Sequence, residues 1–157
     1  MLACADGVLG NIDAGVRALY KDRGEAKRIK ATRKIIEQPY IRAGLQQQYT
    51  VTMDNMEFCK KIRNQYAHCQ WYFTRTEGLC FIDLESVATN PAPISLVTGT
   101  KYPVDVPLLS DQEAFFKHVQ RCFWHLAEEY KNHIGKQKRK NAIFPWPTPI
   151  TPPRPHN

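Results

Sequence analysis

Apolar residues recur at every third or fourth position over most of this chain, and that period predicts a mainly helical fold. The first such segment covers residues 2–20. Gly7, Gly10 and Gly15 weaken its helical character, because a glycine inside a helix costs up to about 1 kcal/mol relative to alanine. Since the pattern begins at the second residue, we expect Met1 to be an internal methionine with more helix upstream.

A second helical segment covers residues 25–48 and contains Pro39. Proline lacks a backbone N–H and clashes with the preceding turn, so we expect this helix to break or kink near Gln38. The first half of the segment is basic, with Arg33 and Lys34 among its cations. These two residues are candidate ligands for RNA phosphates, and the alternative is an ordinary solvated face.

The third and last helices carry sequence signals for their first turns. Asp54 with Glu57 predicts a capping box at the start of the third helix, whose apolar stripe covers residues 53–69. Ser110 with Glu113 predicts the same arrangement at the start of the last helix, which we expect to extend to about residue 134.

Between these helices the pattern changes to that of strands. Residues 71–74 and 79–84 flank a turn that ends at Gly78, which predicts a β-hairpin. Residues 90–107 hold four prolines and are expected to form a long surface loop, with a short strand near residues 94–97. The aromatic run of Trp71, Tyr72 and Phe73 either stacks nucleobases or seats the hairpin on the helices.

Together these elements predict an up-and-down bundle of about four helices with a β-hairpin inserted before the last one. We expect residues 1–135 to form this bundle, with residues 71–108 as the inserted hairpin and loop. Residues 136–157 begin with a basic run and continue as a proline-rich tail, which we expect to be extended or disordered.

The composition fits one folded domain that binds polyanions. The chain has 157 residues, of which 43% are hydrophobic and 24% charged, and its formal net charge is +7. A basic balance of this size favours nucleic acids or nucleotides as partners. Five scattered cysteines without a CxxC pair favour reduced thiols. Residues 1–11 lack the basic start of a signal peptide, and no apolar stretch is long enough to cross a bilayer. We therefore expect a cytoplasmic protein without a membrane partner.

One short polar run is notable near the end of the third helix. Arg63, Asn64 and His68 lie in the sequence Arg-Asn-Gln-Tyr-Ala-His. This run resembles the R-x4-H motif of the HEPN superfamily, and the resemblance covers residues 2–134. It implies a helical up-and-down bundle that forms homodimers, in which the motif helices of two copies line a basic cleft. It also implies that Arg63 and His68 are the catalytic pair and that Asn64 supports them.

Many HEPN proteins are metal-independent endoribonucleases, and some of these are toxins or defence effectors. The resemblance thus implies a homodimeric endoribonuclease that needs neither a metal nor a cofactor. The partners that it implies are RNA or a nucleotide, together with a cognate antitoxin or regulatory protein. Other HEPN proteins cut nothing, so the alternative is a non-catalytic module of the same fold that binds a nucleotide or RNA or has a regulatory role.

The chemistry of these side chains agrees with that assignment. Five helical positions separate the α-carbons of Arg63 and His68 by about 7.5 Å along the axis and by about 140° around it, so the two side chains flank a groove. Asn64 and His68 are four positions apart, so Asn64 is expected to orient the imidazole. The guanidinium group of Arg63 can bind a phosphate through two hydrogen bonds and stabilise a transition state. Metal-free cleavage needs both a base and an acid, and one helix supplies a single histidine, so the reaction favours a dimer.

Other cations and other interpretations accompany the motif. Lys60 and Lys61 lie next to it and, with Arg33 and Lys34, complete the predicted RNA-phosphate ligands. An arginine and a histidine near the end of a helix are also common as a surface ion-pair donor and a partner of the helix dipole. In that second interpretation the two residues take part in neither binding nor catalysis.

The last helix offers a rival site. His118, Cys122 and His125 are spaced by four and three residues and share a helix face, which is acceptable spacing for zinc. No fourth ligand is evident, and the neighbours are apolar, so a packed core face is the favoured interpretation of these three residues.

Overall fold

The computed structural model describes residues 1–89, 99–135 and 145–153. These ranges form, in chain order, α1 (Leu2–Leu9), α2 (Ile12–Tyr20), α3 (Glu25–Arg42), α4 (Gln46–Ala67), β1 (Cys69–Thr74), β2 (Gly78–Asp83), α5 (Leu84–Thr89), β3 (Tyr102–Pro103) and α6 (Val106–His133). The predictions of a mainly helical chain and of a hairpin before the last helix are confirmed. The predicted strand at residues 94–97 lies outside the described residues, as do residues 136–144 and 154–157 of the tail.

The first predicted helix is in fact two helices. Gly10 ends α1 in the left-handed conformation with φ of 70°, which glycine adopts at little cost. Asn11 then caps α2, because its Oδ1 accepts a hydrogen bond from the backbone N–H of Asp13 at 2.8 Å. This division and the short α5 give six helices in the described ranges, against the four or so predicted.

The second predicted helix also divides, but not at its proline. Pro39 lies inside α3, and its carbonyl oxygen accepts a hydrogen bond from the backbone N–H of Ala43 at 3.0 Å. The helix continues to Arg42, and Gly44 follows with φ of 75°. The helix therefore does not break just before Pro39, and the kink that was the other expectation there stays a prediction. Buried side chains on both sides of the proline keep the helix in place although one backbone hydrogen bond is lost.

The third predicted helix begins earlier than its signal suggested. α4 starts at Gln46, and the carbonyl oxygen of Leu45 accepts the first helical hydrogen bond from the N–H of Tyr49 at 2.9 Å. Asp54 thus lies inside the helix, and the capping box of Asp54 and Glu57 was wrong. A run of three polar glutamines hides the true start from a search for apolar periodicity.

The last helix is capped by a different residue from the one predicted. α6 begins at Val106, and Asp105 accepts a hydrogen bond at Oδ1 from the backbone N–H of Leu108 at 2.8 Å. Ser110 lies inside the helix, so the predicted cap there was wrong. Pro107 fits in the first turn, since the N–H groups of that turn have no partner within the helix.

The hairpin is the core of a three-stranded antiparallel sheet. β1 and β2 pair in a register that places Trp71 opposite Phe81, and β3 pairs with the other edge of β2. Gly78 closes the turn with φ of 73°. In the central strand Cys80 and Ile82 face one side of the sheet and Phe81 faces the other, and all three are buried.

The chain separates into two compact units. The first unit consists of Met1–Asp54 and His118–Pro149, and the second of Asn55–Lys117 and Ile150–Asn157. α4 and α6 each continue from one unit into the other. No helix in the described ranges combines the length and the apolar content that a bilayer crossing requires.

Three tyrosines stack in the core of the first unit. The ring of Tyr40 lies 4.6 Å from that of Tyr130 and 6.0 Å from that of Tyr49, measured between centroids, and both pairs are stacked. The same unit also buries the side chains of Cys4, Ala5, Ile36, Met53, Cys122 and Leu126. The hydroxyl groups of Tyr40 and Tyr49 are buried without a hydrogen-bond partner among the described residues. Burial raises the pKa of Tyr40 above its ordinary value, so this hydroxyl stays protonated in the folded protein.

Removing the Tyr40 hydroxyl should therefore cost little. We expect Tyr40→Phe to change the free energy of unfolding by less than about 1 kcal/mol, because the buried hydroxyl interacts with the Cys4 thiol, which is only a weak hydrogen-bonding group. Tyr40→Ala should lower the same quantity by about 3–5 kcal/mol through the cavity it leaves. The measurement is urea unfolding at neutral pH. A loss of more than about 1 kcal/mol in Tyr40→Phe would mean that the hydroxyl has a stronger partner than this thiol.

The same substitution should change the response to alkaline pH. The pKa of Tyr40 is raised in the folded state, so its contribution to stability is complete below the ordinary value of 10.0 and is lost as the pH rises above it. Unfolding measured at rising pH should show a smaller loss of stability in Tyr40→Phe than in the unsubstituted protein. Equal losses would remove Tyr40 as the cause.

Candidate functional site

His68 occupies the junction between α4 and the sheet. Its backbone N–H donates to the carbonyl oxygen of Asn64 at 3.0 Å, which extends the last helical turn by one residue. Its own carbonyl oxygen accepts a hydrogen bond from the N–H of Leu84 at 2.9 Å, which extends the pairing of β1 with β2. The backbone of His68 is thus held from two sides, while its imidazole is exposed to solvent.

The side chains of Arg63 and Asn64 bind each other. Nη1 of Arg63 donates to Oδ1 of Asn64 at 3.1 Å on the exposed side of α4. Within the described residues Asn64 makes no hydrogen bond to His68, so the orienting contact expected from their spacing is not made. Asn64 instead fixes the guanidinium group of Arg63, and the position of His68 is set by its backbone.

The two lysines next to the motif differ in their surroundings. Nζ of Lys60 lies 3.2 Å from Oε2 of Glu57, one turn earlier on α4. This ion pair neutralises part of the charge that Lys60 would offer to a phosphate. The side chain of Lys61 is exposed. Of the two predicted ligands, Lys61 is therefore the more accessible.

The other two predicted phosphate ligands belong to the first unit. Arg33 and Lys34 lie on α3, where Lys34 is exposed and Arg33 is half-buried near Tyr49. Burial raises the pKa of Tyr49, and the guanidinium group of Arg33 opposes that shift. The half-buried position gives Arg33 a packing role in its own unit.

Cations are not in excess in the described part of the unit that holds the motif. Acidic and basic side chains nearly balance in the described part of the second unit, which contains Arg63 and His68. The excess of cations lies in α3 and in the basic run at residues 136–140, which is outside the described residues. The described residues of the second unit therefore do not account for the net charge of +7.

Tyr66, between Arg63 and His68 in the motif, is a packing residue. Its ring stacks on Trp71 with 5.5 Å between centroids and meets Phe81 edge-on at 5.5 Å. Its hydroxyl donates to Oε1 of Gln112 at 2.8 Å, and the Gln112 side chain is itself buried. Burial raises the pKa of Tyr66, so the hydroxyl remains a donor at neutral pH. These contacts agree with the apolar stripe predicted for residues 53–69.

Sequence reasoning missed this aromatic cluster and its polar partner. Phe81 also lies 5.3 Å from Tyr102, so four rings from α4, β1, β2 and β3 meet on one face of the sheet. Tyr102 was assigned to a loop, and no periodic signal marks a two-residue strand. The buried position of Gln112 was likewise not predictable from the sequence, because a glutamine in a helix is ordinarily exposed.

The rival set in the last helix does not form a metal site. Sγ of Cys122 lies 3.5 Å from Nε2 of His118, and both side chains are buried. His125 instead packs edge-on against Trp124 and Trp146. Burial raises the pKa of the Cys122 thiol, which disfavours the thiolate that a metal requires. In the described ranges no group of three or more His, Cys, Asp or Glu side chains has an arrangement that could hold a metal ion.

Comparisons with protein-family models, with curated proteins and with solved structures found no match to this chain. The HEPN resemblance thus remains a prediction that depends on Arg63, Asn64 and His68 and on the mainly helical fold around them. Any functional proposal has to be argued from those residues and from the geometry of the junction.

The bond between Tyr66 and Gln112 should stabilise the second unit. We expect Tyr66→Phe to lower the free energy of unfolding by about 1–3 kcal/mol, because it leaves a buried amide oxygen without its donor. The Nε2 of Gln112 already lacks a partner among the described residues. The measurement is urea unfolding of Tyr66→Phe, Gln112→Leu and the double variant. The free energy of unfolding should fall less in the double variant than the sum of its decreases in the two single variants. If the decreases are strictly additive, the two groups do not interact.

Proposed function

We propose that this protein is a metal-independent endoribonuclease of the HEPN type that acts as a homodimer. The observation that supports the proposal is the exposed end of α4. There the Arg63 guanidinium group is held by Asn64, and His68 is fixed at the helix–sheet junction with its imidazole in solvent. Both residues are exposed to solvent.

In this proposal His68 is the acid–base group and Arg63 stabilises the transition state. The imidazole removes the proton of a ribose 2′-hydroxyl, and the 2′-oxygen forms a bond to phosphorus while the bond from phosphorus to the 5′-oxygen breaks. His68 of the partner subunit donates a proton to the departing 5′-oxygen. The guanidinium group of Arg63 binds the non-bridging oxygens, whose negative charge increases in the transition state. The products are a 2′,3′-cyclic phosphate and a 5′-hydroxyl.

The role of Asn64 in this proposal differs from the one its spacing suggested. Because its side-chain oxygen accepts a hydrogen bond from Arg63, it presents the guanidinium group in one orientation. A guanidinium group binds phosphate best through two parallel hydrogen bonds, so a fixed orientation is useful. Lys61 supplies a further exposed cation on the same helix.

The decisive assay is RNA cleavage in excess chelator. We expect His68→Ala to reduce the rate by about 10²- to 10⁴-fold, the usual contribution of a general acid or base. His133→Ala is the matched control, since His133 is also exposed and also lies at the end of a helix. Its rate should equal that of the unsubstituted protein.

Two results of this assay contradict the catalytic claim. One is the absence of 2′,3′-cyclic products with every variant. The other is equal cleavage by His68→Ala and the unsubstituted protein, which would indicate a contaminating nuclease. Arg63→Lys distinguishes charge from geometry, because lysine retains the charge but cannot form the two parallel hydrogen bonds. If the Arg63 role is correct, this variant should also be impaired.

Mixing experiments test whether two copies share a site. When an excess of His68→Ala chains is exchanged into the unsubstituted protein, mixed dimers form and each lacks one of the two histidines. We expect the activity per unsubstituted chain to fall as the inactive chains are added. Addition of His133→Ala chains should leave it unchanged. Activity that is independent of added His68→Ala chains would mean that one copy is sufficient, and the shared site would then be wrong.

One observation favours a second candidate, a non-catalytic module that binds RNA or a nucleotide. Asn64 is bonded to Arg63 and not to His68, so the described geometry fixes a phosphate ligand more firmly than it fixes a base. This candidate predicts that labelled RNA binds equally well to the unsubstituted protein and to His68→Ala, without cleavage products from either. Binding should then weaken in Arg63→Ala.

A further inference from the structure

Two aromatic side chains of β1 remain open to solvent on the face of the sheet that holds the aromatic cluster. Phe73 is 79% exposed and Trp71 is 39% exposed. They are two positions apart in a strand, so they lie on the same face. Leu79, which is paired with Phe73 across the hairpin, is exposed as well. We call Trp71, Phe73 and Leu79 the hairpin face.

Two backbone hydrogen bonds show which residues of β1 bond to β2 and which direct their backbone groups away from it. Leu84 donates to His68, and Val104 donates to Leu79. In an antiparallel ladder such pairs alternate, so the even-numbered residues of β1 bond to β2 and the odd-numbered residues direct their N–H and C=O groups away from it. Trp71 and Phe73 are both odd-numbered. Their backbones lie at the open edge of the sheet as far as the described residues extend.

Trp71 is fixed in place by the packing already described. Its ring stacks on Tyr66 with an interplanar angle of 24° and lies 5.6 Å from Phe81. Phe73 is the next residue on that face, and its ring takes part in none of the described aromatic pairs. The opposite face of the hairpin has its own buried residues, Cys80 and Ile82. The sheet therefore does not need Phe73 to complete a core in its own unit.

The spacing of these two side chains matches that of stacked bases. Residues two positions apart in a strand are separated by about 6.8 Å, which is twice the rise of ~3.4 Å between neighbouring bases in a nucleic acid strand. A planar ring held between Trp71 and Phe73 would thus be in stacking distance of both. Such stacking is tolerant of sequence, because every base has a π-face.

Exposed guanidinium groups lie before and after the aromatic pair. Arg63 precedes Tyr66 by one helical turn, and Tyr66 stacks on Trp71. Arg75 follows Phe73 by two residues in the hairpin turn and is exposed. The turn also contains the acidic Glu77, whose backbone N–H donates to Oγ1 of Thr74. Aromatic rings with cations along the same path are the usual means of binding a single strand of nucleic acid.

We propose that the hairpin face is a base-stacking platform for single-stranded RNA, with one nucleobase held between Trp71 and Phe73. The inference depends on the proposed function, since it assigns the path of the strand that leads to Arg63 and His68. The backbone of His68 continues directly into β1, so the platform begins three residues from the imidazole. It orients the strand and takes no part in the chemistry.

The test separates stacking from cleavage by using a strand that cannot be cut. A labelled oligodeoxythymidylate of about ten nucleotides lacks the 2′-hydroxyl nucleophile but retains bases and phosphates. We expect Phe73→Leu to raise its Kd by about 5- to 150-fold, the loss of one base–aromatic stack. Phe73→Tyr retains the ring and should bind as the unsubstituted protein does. Phe116→Leu is the matched control, because Phe116 is an exposed phenylalanine of the same unit.

Tryptophan fluorescence gives a second readout in the same titration. A base stacked on Trp71 should quench its emission, so Trp71→Phe should lose most of the quenching. Trp124→Phe should retain it, since Trp124 is similarly exposed but belongs to the first unit.

The other possible outcomes separate the stacking platform from the nuclease. Binding that depends on Phe73 without RNA cleavage supports the platform and rejects the nuclease. Cleavage with equal oligonucleotide Kd values for Phe73→Leu and the unsubstituted protein retains the nuclease and overturns the platform. No binding of the oligonucleotide also overturns it. If Phe73→Leu changes the mass of the protein in solution and not its Kd, the hairpin face is an interface between copies, and the inference is wrong.

Discussion

The two backbone hydrogen bonds of His68 are the constraint on which the candidate site depends. One joins the residue to the last turn of α4, and the other joins it to the first pair of the hairpin. His68 lies between the end of α4 and the start of β1 and is hydrogen-bonded to Asn64 in that helix and to Leu84 next to β2, so the direction in which each element leaves is determined there. Arg63 therefore lies on the helix side of His68, and the aromatic residues of β1 lie on its strand side.

The distribution of charge makes the site different from a simple basic groove. The motif lies in a unit whose charges nearly balance, and Lys60 is already paired with Glu57. In the proposed function, the described residues of this unit would contribute to polyanion affinity through a few well-placed groups and through stacking, since their charges nearly cancel. Such a site would distinguish ligands by the positions of their bases and phosphates. Its affinity would depend less on ionic strength than the affinity of a densely basic surface does.

Periodicity predicted the helical class and the hairpin, but it could not locate the ends of helices. Gly10 and Gly44 end helices through their backbone conformation, and a glycine in the sequence does not reveal which of several glycines adopts it. Asp105 caps α6 by one side-chain hydrogen bond, whereas the equally plausible Ser110 does not. For the site, the sequence indicated the residues but not their pairing. The spacing favoured a contact of Asn64 with His68, four positions away, because adjacent helix residues do not face each other. The observed hydrogen bond to the adjacent Arg63 depends on how the long arginine side chain is placed, which spacing does not predict.

The register of the hairpin has a consequence for how this chain can evolve. Trp71 opposes Phe81 only while the turn between β1 and β2 keeps its present length. Insertion or deletion of a single residue there would exchange the two faces of one strand, so that Cys80 and Ile82 would turn outward and their neighbours inward. Substitutions at turn positions other than Gly78 should thus be tolerated across related sequences, while gaps should be excluded from the turn.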